Sequence, residues 1–231
     1  MKRKVTLMQC NIQTELESFR QANSRYNPLK EQQQQYDLTL GDLQSFLAHQ
    51  ISDVKPLSII DVGCAYGTLT AWLSNQGHKV CAVDGMDTLS SAEWFDIHNI
   101  AFTKLNIETD EIPYKGNDLA IFTEVIEHLC YNPVPAIRNI RDSLKVGGHV
   151  ICTTPMKELQ GIVHPITGRY ARYEHYRDIP LPWNGYKFDD NHHYFYRKHE
   201  LMQLFHECGF EIEQCYTIRA GTTHFLKARK V

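Results

Sequence analysis

The sequence predicts an α/β protein built on a doubly wound, mostly parallel sheet. One observation is a short apolar run, Ser58–Val62, typical of a buried strand and followed by Gly63, Gly67 and helical apolar spacing. Another is repetition of the pattern. Further strand-like runs occupy residues 79–84, 101–106, 118–123 and 149–154. Because helical segments separate these runs, right-handed crossovers between parallel strands are expected.

Length and composition narrow the class of protein. The chain has 231 residues, the expected size of one α/β domain with additions. A net charge of −3 gives no support to a sequence-independent nucleic-acid binder, which normally carries a basic surface. No apolar run approaches the length of a membrane span, and the seven cysteines form no C-x-x-C pair. We therefore expect a cytoplasmic protein with reduced thiols.

The chain divides into an extension and a domain. Residues 1–56 carry apolar residues at helical spacing, including Leu40, Leu43 and Leu47, and predict an N-terminal helical extension. Residues 57–231 form the predicted α/β domain. The sequence does not indicate whether the extension covers a sheet edge or the ligand site.

The turn after the first strand predicts a binding site for a nucleotide-like ligand. Gly63 and Gly67 let the backbone approach a ligand closely. Their spacing differs from the G-x-G-x-x-G dinucleotide pattern, and Asp61 would place negative charge beside a pyrophosphate. A ligand that carries an ammonium and a sulfonium suits an acid better. Asp84, about 20 residues beyond the glycine turn, ends the second strand where a carboxylate can accept ribose hydroxyls.

The pattern D-x-G-x-x-x-G at residues 61–67 resembles motif I of the class I S-adenosylmethionine-dependent methyltransferases. Asp84, the Thr123–Leu129 segment and Leu144–Gly148 before a strand continue the resemblance in the right order, over most of residues 57–155. It implies a seven-stranded sheet of Rossmann-like topology, completed by an antiparallel hairpin near residues 210–218 and 222–229.

The resemblance also implies which residues bind the cofactor, S-adenosylmethionine. Asn106 stands where the family typically has Asp accepting from the adenine amino group, and its amide oxygen can still accept. Apolar neighbours such as Ile107 would flank the ring. The full set of expected cofactor-binding residues is Asp61, Gly63, Cys64, Gly67, Asp84, Gly85, Asn106, Ile107 and Thr123.

Candidate catalytic groups follow the fourth strand. If a helix begins there, Glu124 and His128 are i and i+4 with Glu127 beside them, so the three side chains would share one face. His is the usual general base near neutral pH, and a hydroxyl nucleophile must lose its proton during methyl transfer. We expect His128, Glu124 and His193 to be catalytic, with capping or hydrogen bonding as the simpler alternative for Glu127 and His128.

A metal site is a second interpretation of the same residues. Glu124, Glu127, His128 and His193 resemble the two-Glu, two-His set of the small-RNA 3′-terminal 2′-O-methyltransferases. Carboxylates and imidazoles would suit Mn²⁺ or Mg²⁺. The E-V-I-E-H-L segment is also common in enzymes similar to ubiquinone-pathway, polysaccharide and natural-product O-methyltransferases. We favour the metal-free general base.

Residues 156–196 interrupt the alternation of strands and helices. They are rich in aromatic residues interleaved with Arg and His, and they show few helix or strand signals. An insertion this long predicts a substrate lid that is mobile without ligand, whose aromatic side chains suit a ring-bearing or sugar substrate. A folded cap with a small core of its own is the alternative.

The function predicted from the sequence is O-methylation of a small molecule or glycan that uses S-adenosylmethionine. Two alternatives stay open: a metal-dependent RNA 2′-O-methyltransferase, and a non-catalytic binding protein that keeps the fold. The acidic net charge disfavours RNA, whereas the aromatic and Arg residues of the insertion favour it mildly. The intact glycine turn and Asp84 argue against the non-catalytic protein.

Overall fold

The computed structural model describes residues 56–85, 95–96, 98–156, 173–182, 192–218 and 221–231. Almost all of the predicted helical extension, together with residues 157–172 and 183–191 of the predicted lid, lies outside the described residues. The chain forms two compact units, Met1–Lys104 and Leu105–Val231.

Three parallel strands and the helix that follows the first of them are described in the first unit. They are β1 (Ser58–Val62), α1 (Thr68–Asn75), β2 (Lys79–Asp84) and β3 (Ala101–Lys104). β2 pairs with β1 and with β3, with Ile60 opposite Cys81 and Cys81 opposite Ala101. Ile60 is fully buried, as are its neighbour Ile59 and Val62, because strands of a parallel sheet are covered on both faces. Gly77, at a φ of 90°, follows the end of α1, as is typical of a glycine that ends a helix.

The second unit begins with another parallel pair. Its elements are β4 (Asn117–Thr123), α2 (Val134–Ser143) and β5 (Leu144–Pro155). Pro133 caps α2 and Pro135 lies in its first turn, where a missing N–H costs nothing. The sequence predicts that Gly147 and Gly148 end this helix. That prediction is wrong: α2 ends at Ser143, and the two glycines lie within β5.

The glycine pair belongs to an irregular start of β5. The β4–β5 register shifts between Asn117 and Leu119, and Gly147 has a φ of 75°. A side chain at Gly148 would approach the backbone oxygens of Lys145 and Asn117 to 2.9 and 3.0 Å. Gly147 therefore supplies left-handed backbone, and Gly148 allows close backbone approach, within a bulged strand.

The second unit ends with α3 (Lys198–Glu207), β6 (Phe210–Ile218) and β7 (Thr223–Lys230). β7 is antiparallel to both β5 and β6, so the predicted terminal hairpin is confirmed. A capping box joins Arg197 and Glu200 at the start of α3. The sheet has seven strands in the order β3-β2-β1-β4-β5-β7-β6, which confirms the predicted fold class. No helix in the described part of the chain is long and apolar enough to traverse a membrane.

Candidate active site

In the first unit, the turn after β1 has three left-handed residues within five positions. Gly63, Ala65 and Gly67 have φ values of 78°, 46° and 72°. The Gly63 N–H donates to the Val83 carbonyl at 2.8 Å, and the Gly67 N–H donates to the Cys64 carbonyl at 2.8 Å. Left-handed backbone at Ala65 is costly for a residue with a Cβ, so the turn must be held by its surroundings.

Two carboxylates hold this turn. Asp84 Oδ2 accepts the Ala65 N–H at 2.8 Å, which stabilises the strained residue. Asp61 Oδ2 accepts the Thr70 hydroxyl at 2.6 Å. Burial raises the pKa of Asp61 to about 7, the Thr70 hydroxyl opposes this shift, and the charge of Asp84 adds to it. Two acids that resist simultaneous ionisation suit a cationic, hydroxyl-bearing ligand rather than a phosphate.

The other predicted cofactor-binding residues lie on both units. Cys64 is buried in the glycine turn, and Gly85 directly follows β2. In the second unit, Ile107 is buried, Thr123 ends β4, and Asn106 Oδ1 accepts the Glu108 N–H at 3.0 Å. One acceptor position of Asn106 is therefore engaged in a local turn. The assignment of all these residues to a ligand stays a prediction.

In the second unit, the segment after β4 differs from the helix considered from the sequence. Glu124 has a left-handed φ of 56°, and only Ile126–His128 forms a 3₁₀ helix. Glu124 and His128 consequently do not share an α-helical face. The reason is that Glu124 remains attached to β5, with its N–H donating to the Thr153 carbonyl at 2.9 Å and its Oε1 accepting the Thr153 hydroxyl at 2.8 Å.

The structure brings Glu127, His128 and His192 together instead. One potential ligand atom from each of the three lies within 4.8 Å of the others. Glu127 is 1% exposed, and its Oε1 lies 4.0 Å from His128 Nε2. The rings of His128 and His192 meet edge to face at 4.5 Å. His128 Nδ1 is buried, Nε2 is the ring nitrogen that faces the Glu127 carboxylate, and the side chain as a whole is 22% exposed.

His193 has a different position from the one expected. Its backbone N–H donates to the Glu127 carbonyl at 2.7 Å, and its ring is not part of the three-residue group found among the described residues. Of these two neighbouring histidines, His192 is the one whose ring packs against His128. The sequence could not show which one. A catalytic role for His193 or Glu124 stays a prediction.

The described parts of the aromatic insertion contain buried side chains. Tyr176, Tyr194 and Tyr196 are at most 1% exposed. The Tyr176 hydroxyl donates to Glu207 at 3.0 Å, and the Tyr194 hydroxyl donates to Glu200 at 2.8 Å. Both acids belong to α3. These three buried rings therefore do not present a substrate surface, and the role of the insertion as a lid or a cap stays a prediction.

Three functional candidates were not identified from the sequence. Thr153 and Thr154, both fully buried, hold the two acids that follow β4. Glu108, 4% exposed, accepts the Tyr131 N–H at 2.7 Å just beyond His128. Burial raises its pKa to about 7 despite backbone hydrogen bonds from Tyr131 and Cys130. The sequence signal that could have identified the two threonines is their position near the end of a predicted strand that pairs with the strand before the E-x-x-E segment.

Comparison with known proteins identifies related sequences. A family profile described as "Methyltransferase domain" matches residues 29–215. The ubiquinone biosynthesis O-methyltransferase of Rickettsia typhi is 34% identical over 107 residues, covering 45% of this chain and 43% of that enzyme. Its counterpart in Rickettsia canadensis is 28% identical over 170 residues, covering 71% and 66%. The chain thus matches less than half the length of the first relative and about two thirds of the second.

Solved structures support the fold. A TehB-like SAM-dependent methyltransferase from Corynebacterium glutamicum aligns with a TM-score of 0.60 and 16% identity. The alignment covers 87% of this chain and 97% of that one. At this identity the likeness concerns the arrangement of strands and helices, and function must be argued from the site.

Proposed function

Because the chain belongs to the class I S-adenosylmethionine-dependent methyltransferase family, we propose that it methylates a phenolic hydroxyl of a small molecule, with His128 as general base. The observation that carries this proposal is the position of His128, a partly exposed side chain whose Nε2 lies 4.0 Å from the buried carboxylate of Glu127. The curated relatives named as ubiquinone biosynthesis O-methyltransferases support oxygen as the methylated atom.

The first unit offers groups that fit S-adenosylmethionine. Asp61 and Asp84 supply carboxylates at the glycine turn, where a phosphate would meet negative charge and a cationic ligand would not. Asp84 would accept ribose hydroxyls while it holds the Ala65 N–H. Asp61 would favour the cationic part of the ligand. When bound, the cofactor supplies an electrophilic methyl group.

The second unit supplies the base. His128 Nε2 would accept the proton of the substrate hydroxyl, which makes the oxygen a stronger nucleophile. At 4.0 Å, the charge of Glu127 stabilises the imidazolium that forms, by about 4 kcal/mol for an effective dielectric constant of about 20. The distance is too long for a direct hydrogen bond, so the interaction is electrostatic.

The basicity of imidazole favours phenols over alcohols as substrates. An unperturbed imidazole has a pKa of about 6.5 and a phenol about 10, a gap of about 3.5. Water, a guide to aliphatic alcohols, has a pKa of about 15.7. Proton transfer from the alcohol therefore costs about 8 kcal/mol more than proton transfer from the phenol, at about 1.4 kcal/mol for each tenfold change in the equilibrium. A phenol or catechol is therefore the better match, and a glycan hydroxyl is the weaker one.

The test is transfer of an isotopically labelled methyl group. The protein is incubated with methyl-labelled S-adenosylmethionine and, separately, with 3,4-dihydroxybenzoate, a monophenol, a reducing disaccharide and a short RNA. Mass spectrometry then locates the label. We expect labelled product from the catechol or the phenol. Label in the disaccharide or RNA alone, or in no substrate, would contradict the proposal.

A second candidate is a metal-dependent reaction, supported by the grouping of Glu127, His128 and His192. The oxygen and nitrogen donors of this group suit Mn²⁺ or Mg²⁺, and a bound ion would polarise the substrate hydroxyl. One potential ligand atom of each residue lies within 4.8 Å of the others, so the three side chains are close enough to converge on one ion. Chelation separates the mechanisms: activity that survives EDTA supports the base, and loss restored by Mn²⁺ supports the metal.

A further inference from the structure

Two consecutive threonines of β5 each hold one acid of the segment after β4. The Thr153 hydroxyl donates to Glu124 Oε1 at 2.8 Å, and the Thr154 hydroxyl donates to Glu127 Oε2 at 3.0 Å. Both threonines are fully buried, so water does not compete with either hydroxyl for the carboxylate that it holds. The two contacts are therefore fixed features of the second unit.

The alternation of side chains along a strand separates these two contacts. Successive residues of β5 point to opposite faces of the sheet. Thr153 therefore holds Glu124 on one face, and Thr154 holds Glu127 on the other. Of the two acids, only Glu127 has a carboxylate oxygen within 4.0 Å of His128. This explains why Glu124 is not part of the group formed by Glu127, His128 and His192.

Thr154 determines which oxygen of Glu127 faces the imidazole. Its hydroxyl occupies Oε2, which leaves Oε1 directed toward His128 Nε2. A hydrogen bond to a charged group shifts an equilibrium by roughly 10- to 100-fold. Losing this hydrogen bond removes a contact that holds the carboxylate in this orientation.

We propose that Thr154 is a positioning residue for methyl transfer, acting through Glu127 on His128. The kinetic part of this inference rests on the proposed function, because it takes His128 as the base. Thr154 itself touches no reacting atom. Its hydroxyl fixes the carboxylate that stabilises the imidazolium as the substrate proton arrives.

The kinetic test compares three forms of the full chain with a phenol that the wild type methylates. Thr154→Val keeps the side-chain shape and removes the hydroxyl, and Thr154→Ser restores the hydroxyl without the methyl group. We expect Thr154→Val to lower kcat by roughly 10- to 100-fold with the Kd for S-adenosylmethionine unchanged. Thr154→Ser should recover kcat to within about threefold. An unchanged kcat in Thr154→Val, or equal losses in both variants, would overturn the inference.

A spectroscopic test needs no substrate. The ring signals of His128 are assigned in a histidine NMR spectrum by their absence in His128→Gln. Thr154→Val should shift or broaden these signals, and Thr154→Ser should leave them near the wild-type positions. Thr153→Val is the matched control, because it removes an equally buried hydroxyl on the opposite face, and it should leave the His128 signals in place.

The two tests distinguish a failure of the inference from a failure of the proposed function. Unchanged His128 signals in Thr154→Val, or equal changes in Thr153→Val, would overturn the positioning role whatever the activity. A wild type that methylates no phenol, with the expected signal changes in Thr154→Val, would refute the proposed function while supporting the contact chain from Thr154 to His128.

Discussion

Replacing Asp61 by Asn should reduce the pH dependence of the free energy of unfolding. Burial raises the pKa of Asp61 from 3.8 to about 7, so between these values the folded protein holds a proton that the unfolded chain has lost. The folded state binds more protons there, and the free energy of unfolding falls as pH rises. Asn removes this titration, yet its amide oxygen still accepts the Thr70 hydroxyl.

The size of the effect follows from the two pKa values. At about 1.4 kcal/mol for each tenfold change in the ionisation equilibrium, the full difference is about 4 kcal/mol. Between pH 5 and pH 8, about 2.5 kcal/mol of this is expressed, because the unfolded carboxyl is already ionised at pH 5. The wild type should therefore lose about 2.5 kcal/mol more stability than Asp61→Asn over this interval.

Urea unfolding, followed by tryptophan fluorescence at pH 5 and pH 8 without ligand, measures this difference. Asp142→Asn, which replaces an exposed acid of α2 in the same way, is the matched control. If Asp61→Asn and the wild type lose equal stability between the two pH values, Asp61 ionises in the folded protein as it does in the unfolded chain, and the reasoning is refuted.

Three further predictions concern the turn, the buried Glu108 and the β5 bulge. Asp84→Ala should weaken S-adenosylmethionine binding by about 1.5–3 kcal/mol, and Asp84→Asn should lose less binding free energy because it can still accept the Ala65 N–H. Wild-type affinity of Asp84→Ala in a calorimetric titration would refute this role. Glu108→Ala should lower the free energy of unfolding by about 1–3 kcal/mol, because it leaves the buried Tyr131 N–H without this acceptor. In urea unfolding, Glu108→Gln should recover most of the lost stability, and equal stability of the two variants would count against the contact. Gly148→Ala should destabilise the folded protein by about 1–3 kcal/mol, because the new Cβ would meet backbone oxygens at 2.9 and 3.0 Å. An unchanged thermal midpoint would show that the bulge accommodates the Cβ, against this prediction.

Much of the fold was predictable because its signals are local. β1 and β2 match the predicted strand boundaries, since each apolar run is bounded by a turn or an acid. Gly77 and Gly209 follow α1 and α3 with positive φ values, as helix-ending glycines do. Gly147 misled the prediction of a helix end, because a glycine with positive φ serves a bulge as well as a helix end.

The candidate site was predictable by residue type but not by geometry. The sequence indicated that Glu127 and His128 follow a central strand. It could not show that Thr153 would draw Glu124 to the other face of β5, because that contact joins residues 29 positions apart. The choice of His192 over His193 depends on the path of the chain between distant elements, which spacing alone does not specify.

The measurement that bears most directly on His128 as the base is turnover of His128→Ala on the phenol that the labelling experiment identifies. Its kcat should fall by roughly 10²- to 10⁴-fold, while calorimetry finds the Kd for S-adenosylmethionine within about threefold of the wild type. EDTA should leave wild-type turnover intact. Wild-type turnover in His128→Ala, or a metal-restorable loss of wild-type activity under EDTA, would contradict a metal-free base at this position.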